Sequence, residues 1–335
     1  MTGGTAGGMT PGGMDRDERE LFAKSVQHAT ANHTGAALDA ALADLGWLDA
    51  LAADRRTAVA VLFEHQGAAN ATSSALGLVV AATLGAGPDP GVGVVLPAAG
   101  AWGPPGRARG DTLTVRGLGL AGLADRAEAL VVAAPDGSGG PTAVRVRVAD
   151  LALRPIGGLD PALGLMEVTG EGVPAGERFD PGAEAWEAAV AAGRLALAHE
   201  ILGASRSMLR LARDHATERI QFGRPIASFQ AVRHRLAEAF VALEAAEAAL
   251  DAGWRDGSPR GAALAKALVG VGARTTAGHA QQVLAGIGFT TEHGFHHHMR
   301  RARVLDQLLG SAKTLTRQLG EDLLRARRLP ALLPL

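Results

Sequence analysis

Apolar residues near the start of the chain recur three and four positions apart: Leu38, Leu42, Leu45 and Leu48, then Val59, Leu62 and Phe63. That spacing predicts helices from about Asp15 to Ala86. From Gly91 the pattern changes to short β-rich runs (GVGVVLP, TLTVRG, ALVVAAP, TAVRVRV) separated by clusters such as GAWGPPGRARGD and PDGSGGP. Strands at this spacing predict a compact antiparallel sheet or small barrel, over a stretch to Phe179 that is small for a domain of its own. After Pro181 helical periodicity returns and stays. The first long helix, AEAWEAAVAAGRLALAHEILGASRSMLRLARDHATER, is stopped by Gly223 and Pro225, because proline lacks an amide donor and biases its predecessor away from helix. The second carries Phe229, Val232, Leu236, Phe240 and Leu243 on one stripe. The third opens at Ser258, an N-cap followed by Pro259 at the first helical position, and runs through Leu284. The fourth begins after GIGF and continues through MRRARVLDQLLGSAKTLTRQLGEDLLRARR. Four long antiparallel helices with short joints make a bundle. The fold class is therefore α+β: a flexible leader over residues 1–13, an N-terminal helical domain over 14–90, a reduced middle β-domain over 91–182, and a C-terminal four-helix bundle over 183–330.

Composition narrows the chemistry. With 335 residues, 47% hydrophobic and 20% charged, the chain can bury a sizeable core. Lys and Arg number 33 against 34 Asp and Glu, so no global charge attracts nucleic acid or an anionic membrane. No apolar run reaches the roughly 18 residues of a membrane span, and the first residues lack a hydrophobic signal core. The absence of cysteine removes disulfides, thiolate nucleophiles and cysteine metal sites, and fits a cytoplasmic enzyme. Any redox chemistry must then come from a cofactor.

Two joints of the bundle are richer than a turn requires. In RIQFGRPIASFQAVRHRLAE, Arg219 ends one helix, Phe222 and Gly223 reverse the chain, and Gln230 opens the next helix. A guanidinium at a helix end can hold a phosphate or carboxylate bidentately. Phe222 either packs the hairpin or stacks on a planar ligand. Gln230 offers a donor and an acceptor suited to a purine edge. A hydrophobic staple beside a solvated arginine is the competing structural account. The second joint, QQVLAGIGFTTEHGFHHHMRRA, places Gly286 and Gly288 where a backbone can approach a ligand or another chain, although a glycine-rich joint is also a plain turn. Within HGFHHH, the spacing of His293, His296 and His297 could present two nitrogens on one helix face, but no third ligand is evident, and no metal site is assigned.

These two segments resemble those of the acyl-CoA dehydrogenases: RIQFGRPIASFQAVRHRLAE is similar to that family's arginine, phenylalanine-glycine and glutamine corner, and QVLAGIGFTTEH to its later glutamine and glycine-rich segment. The order helix, sheet, helix agrees over nearly the whole chain. The resemblance implies FAD at a subunit interface, with Arg219 on the pyrophosphate, Phe222 and Gln230 packed on the cofactor, and Gln282, Val283, Leu284, Ala285 and Gly286 beside the adenosine half. Ala285 stands where the family usually has glycine.

Departures from the family pattern are as telling. The family's threonine-glutamate-proline and glycine-serine-aspartate stretch, which binds flavin ring and pyrophosphate, is replaced by VLPAAGAWGPPGRARGD, and GLGLAGLAD stands near its aromatic-isoleucine-threonine contact. The family's glutamate, which takes the α-proton of the acyl thioester, falls on Leu309. The position some members use instead, on the first bundle helix, falls on Gly193. Neither residue accepts a proton, so no catalytic residue is assigned. Glu200, Glu292 and Asp306 are the remaining carboxylate candidates, with Glu200 roughly 10 Å along the helix from Gly193. The expectation is a non-catalytic chain resembling the short chain of an α2β2 heterotetrameric, steroid-CoA type acyl-CoA dehydrogenase. Its partner would be a larger catalytic homologue that binds most of the acyl-CoA and shares the FAD, with an electron-transfer flavoprotein as acceptor. A self-sufficient homo-oligomer with a relocated base and a non-enzymatic scaffold are the competing expectations.

Overall fold

The computed structural model describes residues 14–327 apart from 88, 138, 183 and 291; the expected leader and the last residues of the expected bundle lie outside this set. Five helices come first: α1 (Arg16–Asn32), α2 (Ala36–Asp44), α3 (Trp47–Ala53), α4 (Arg55–Ala69) and α5 (Ala75–Thr83). Asp15 and Glu18 form a capping box at the start of α1, and Asp54 caps α4 through the Thr57 amide. The later helices are α6 (Ala185–Glu218), α7 (Gln230–Asp256), α8 (Pro259–Leu284), α9 (Phe295–Gln307) and α10 (Ala312–Ala326). From Ala189 to Ser205 every residue of α6 is buried, which makes it the central rod of the molecule. Its backbone touches that of α4: a Cβ on Gly67 would strike the Glu200 carbonyl, and one on Gly203 would strike that of Glu64.

Eight strands lie between the two helical regions: β1 (Val92–Pro97), β2 (Gly106–Arg109), β3 (Thr112–Gly119), β4 (Glu128–Ala134), β5 (Thr142–Arg147), β6 (Ala152–Pro155), β7 (Met166–Pro174) and β8 (Arg178–Phe179). The sheet is mixed, in correction of the antiparallel expectation. β1 and β2 both run antiparallel to β3 and parallel to β4, pairing successive stretches of each, so they form one row interrupted by residues 98–105. The parallel pairings arise because residues 120–127, between β3 and β4, cross over that row instead of turning back beside β3. Along β4, Leu130 and Val132 join the helical core, while Ala129, Val131 and Ala133 join a second cluster built from the strands and the short segments that connect them. The sheet therefore curls over its own outer face, as a small barrel would.

Two helical expectations also change. The expected fourth bundle helix breaks into α9 and α10, with Leu309 at φ 55° and Gly310 at φ 99°. Lys266 Nζ donates to the carbonyls of Asp306 (2.9 Å) and Gly310 (2.7 Å), and Arg194 Nε donates to that of Leu309 (3.0 Å). Asp306 Oδ1 accepts the Ala312 amide, and Ser311 caps α10. On α7 the predicted stripe leaves Phe240 half exposed; the buried seam is Ala239, Leu243, Ala246, Leu250 and Gly253, because small residues there let α8 approach closely.

A buried ion cluster joins the layers. Arg301 on α9 is fully buried and bonds Asp160 (2.6 Å), between β6 and β7, and the Ala71 carbonyl (2.6 Å), after α4. It also pairs with Glu200 on α6 at 3.3 Å, and Gln66 Nε2 donates to the other Glu200 oxygen at 3.0 Å. Burial, opposed by Arg301, pushes the Glu200 carboxyl up to about 7 from 4.5. The folded state then holds a proton that the unfolded state has lost between those values, so this residue's contribution makes stability fall as pH rises through the window. The slope reaches at most about 1.4 kcal/mol per pH unit. Denaturant titrations from pH 5 to 8 are expected to show that fall, and Glu200→Gln to flatten it.

After α8 the chain turns through Ala285 at φ 49°, ψ −130°, a conformation costly for any side chain. Ala285→Gly is expected to raise stability by about 1 kcal/mol, read as a shift of the denaturation midpoint at unchanged slope.

Candidate functional site

Gly193 and Leu309, the two positions expected to lack a base, meet in the core. A Cβ on Gly193 would lie 2.6 Å from Leu309 Cδ1 and 3.5 Å from Val80 Cγ2 on α5, so the leucine fills the space that the glycine leaves. Residues 98–105, the interruption of the β1–β2 row, lean onto the same corner. The Gly100 amide donates to the Gln307 carbonyl (2.8 Å), and Trp186 Nε1 donates to the Trp102 carbonyl (3.1 Å). The Arg194 guanidinium stacks 5.5 Å from the centre of the Trp102 ring. Burial lowers Arg194 to about 10 and Lys266 to about 7. Trp102, Arg194 and Lys266 went unnoticed in the sequence; a lysine in the apolar run of α8 is the one signal that could have found them. The corner holds two buried cations, an indole and aliphatic side chains, a composition that braces a helix break and offers no proton acceptor at Gly193 or Leu309.

The other carboxylate candidates separate. Glu200 is buried in the Arg301 cluster, one oxygen paired with Arg301 and the other accepting from Gln66. Glu292 is exposed. Asp306 alone of the three lines a cleft, with one oxygen committed to the Ala312 amide. His296 Nδ1 lies 2.7 Å from the His293 carbonyl, and its ring lies 3.9 Å from that of exposed His297. Among the described residues no three His, Cys, Asp or Glu side chains are placed to hold a metal ion. Neighbouring His298 is driven down to about 4 by burial.

The first bundle joint is a two-strand hairpin, β9 (Ile220–Gln221) against β10 (Arg224–Pro225), whose tip residues Phe222 and Gly223 take φ 53° and 77°. Arg219 caps α6, is exposed, and makes no ion pair with any described residue. Phe222 is 91% exposed and meets Phe229 only edge-on, at 6.0 Å. The Arg224 guanidinium lies 4.5 Å over the Phe229 ring, and Gln230 stands exposed at the start of α7. A staple would bury Phe222; here the ring projects from the molecule. In the second joint Gln282, Ala285 and Gly286 are exposed, whereas Val283 and Leu284 are core residues whose side chains face inward. Gly288 is packed against Gln281 and Leu284, so its missing side chain serves this chain's own turn. His215, one turn before Arg219, is lowered by burial and by the charges of His293 and Arg219, which places the two joints at one end of the bundle.

Between sheet and bundle lies a cleft of about 730 Å³. Its sheet wall is aliphatic (Leu118, Ile156, Leu159, Leu165) and includes the GLGL stretch near the family's flavin contact.

Comparison with known proteins follows this geometry. Residues 180–324 match the family model "Acyl-CoA dehydrogenase, C-terminal domain". Acyl-CoA dehydrogenase IpdE2 of Mycobacterium tuberculosis is 37% identical over 126 residues, 38% of this chain and 40% of that protein. The matched stretch thus spans about 40% of the length of the first curated relatives. Among solved structures, a variant of the Tcur3481-Tcur3483 steroid ACAD superposes with TM-score 0.74 at 23% identity, over 92% of this chain and 96% of that one. The ChsE4-ChsE5 complex of Mycobacterium tuberculosis gives 0.70 at 22%, over 93% and 89%. Among the described residues no helix is long and apolar enough to cross a membrane. The chain therefore has the acyl-CoA dehydrogenase fold, with residues 180–324 similar to that family's C-terminal domain.

Proposed function

We propose that this chain is the non-catalytic subunit of a hetero-oligomeric, FAD-dependent acyl-CoA dehydrogenase. A larger homologue supplies the base, the flavin-ring pocket and most of the acyl-CoA cleft. The observation that carries this reading is the packing of Leu309 against Gly193: both places for the base are filled by hydrocarbon. The two-component names of similar structures, one of them a steroid ACAD, support a heteromeric assembly and a steroid-derived thioester as substrate.

The chain's own residues divide between holding and excluding. FAD, when bound, accepts hydride from the β-carbon of an acyl thioester. Arg219, exposed and without an ion pair among the described residues, suits its pyrophosphate; the Phe222 ring offers a stacking face; the Gln230 amide suits the edge of a base. Gln282, Ala285 and Gly286 can approach the adenosine, whereas Val283 and Leu284 would contribute main chain alone. This chain's own sheet is a poor flavin pocket, since its wall presents no side-chain donor to the ring's nitrogen and oxygen atoms. The hairpin and joint therefore serve a nucleotide held chiefly by the partner, and electrons leave through an electron-transfer flavoprotein.

Co-expression with a longer homologue is expected to yield a complex with about one FAD per two chains. Arg219→Ala should leave assembly intact by light scattering and weaken flavin retention about 10- to 100-fold, the effect of removing a charge-assisted hydrogen-bonded pair. Unchanged flavin content, or a yellow, active chain purified alone, overturns the reading. If Leu309 is filler, Leu309→Ala costs about 2–5 kcal/mol in denaturant unfolding while flavin per folded complex stays the same.

A further inference from the structure

We propose that Trp254, His199 and Glu64 form an acid-released latch, which ties the end of α7 to α6 and α4 while the imidazole is neutral and frees it when the imidazole takes a second proton. Hydrogen-bond chemistry fixes where the first proton sits. Trp254 Nε1 donates to His199 Nε2 (2.9 Å), and Nδ1 of the same ring lies 2.8 Å from Glu64 Oε1. An indole nitrogen only donates, so His199 Nε2 is the accepting nitrogen. The ring's single proton is therefore on Nδ1, which donates it to Glu64. One buried imidazole thus joins three helices, α4 through Glu64, α6 through its own backbone and α7 through Trp254.

A second proton can go only onto Nε2. It turns an acceptor into a donor and sets two N–H groups against each other, so the indole bond is lost. The carboxylate side holds, because an imidazolium pairs with Glu64 at least as well as an imidazole does. Glu64 is itself anchored: its second oxygen accepts from Arg206, which also pairs with Glu247 on α7 (2.7 Å). The whole change therefore falls on Trp254, which is half-buried in the last turn of α7 and can turn its N–H to water. The other charged groups around the ring have their own places. His65 adjoins Glu64 on α4, Arg56 of α4 pairs with Asp251 of α7 (2.6 Å), and Glu244 of α7 lies near Arg206. Glu200, next along α6, faces Arg301, and Lys266 of α8 faces the break between α9 and α10. None of them bonds the indole, so a response that they carried would persist when His199 is replaced.

The test uses the full-length chain, isotopically labelled at the tryptophan indole nitrogens and followed by NMR from about pH 8 to about pH 5, the range over which histidine takes up its proton. Trp254→Phe identifies the Trp254 signal by its loss. On acidification that signal is expected to move to the position of a water-bonded indole. In His199→Gln, whose amide can accept from the indole and donate to Glu64 without titrating, it should stay in place; in His65→Gln it should move as in the parent chain. Hydrogen exchange of the backbone amides at the end of α7 reads the release itself. At the acid end of the range the parent should exchange there about tenfold faster than His199→Gln, the effect of losing one hydrogen bond. Trp254→Phe, a latch already open, should exchange about tenfold faster than the parent at the alkaline end and equally at the acid end, and this holds as a test even where His199→Gln does not fold. A Trp254 signal that stays put in the parent, one that moves equally in His199→Gln, or equal exchange by parent and Trp254→Phe at the alkaline end each overturns the proposal. Flavin retention through Arg219 enters none of these measurements, so the two readings fail separately.

Discussion

The fold depends on a guanidinium kept out of water. Arg301 binds one residue from each of the three layers: Asp160 from the sheet, Ala71 from the segment after α4, and Glu200 from α6. None of these can relax independently, since stripping partners from a buried charge typically costs about 3–5 kcal/mol. Gly67 and Gly203 make the arrangement possible by bringing α4 and α6 into backbone contact, which sets Gln66 against Glu200. The carboxyl count exceeds the cation count by one, and the raised Glu200 is the consequence: the cluster lowers its excess charge by keeping a proton.

The same economy governs the broken helix. A chain reversing through Leu309 and Gly310 leaves carbonyls without helical partners, and an uncompensated buried carbonyl costs about 1–3 kcal/mol. Lys266 and Arg194 supply the missing donors, so the break is a fixed feature and not a fray. The price is two buried cations, depressed in pKa by burial, with Trp102 covering one of them. In this chain the corner is devoted to holding backbone in place, with a leucine where a carboxylate would have to project.

Much of this was legible in the sequence because it is local. The capped start of α8 at Ser258 and Pro259, the stop of α6 before Gly223, and the helix, sheet, helix order follow from caps, proline and periodicity, and the structure reproduces them. Leu309, Gly310 and Ser311 also carry a local signal, a positive-φ glycine followed by an N-cap serine, but the apolar spacing of Leu305, Leu308, Ala312 and Leu315 runs across it and suggests one helix. The parallel pairing of β1 with β4 was not legible, since strand direction is decided by where a crossing segment passes. Nor were the ion cluster and the cleft: Arg301 and Asp160 are 141 positions apart, and nothing in either neighbourhood announces the other. For the site, sequence identified which residues were exceptional, and the structure divided them, leaving Arg219, Phe222 and Gln230 outward while turning Val283 and Leu284 into core.

That division bears on why a chain with glycine at position 193 and leucine at position 309 would keep its hairpin. A phenylalanine held at positive φ and 91% exposed is unfavourable twice, through backbone strain and through apolar surface left in water. A hairpin serving only to join two helices could relieve both with glycine or asparagine at the tip. Ile220 in the same hairpin and Ile287 and Phe289 in the second joint are exposed as well. Exposure of this kind becomes favourable only when something planar or apolar covers it, and with Arg219 alongside, which has no ion pair among the described residues, that covering group needs an anionic part. A dinucleotide housed by a neighbouring chain has both properties, whereas a purely apolar partner surface would leave Arg219 without a counterion.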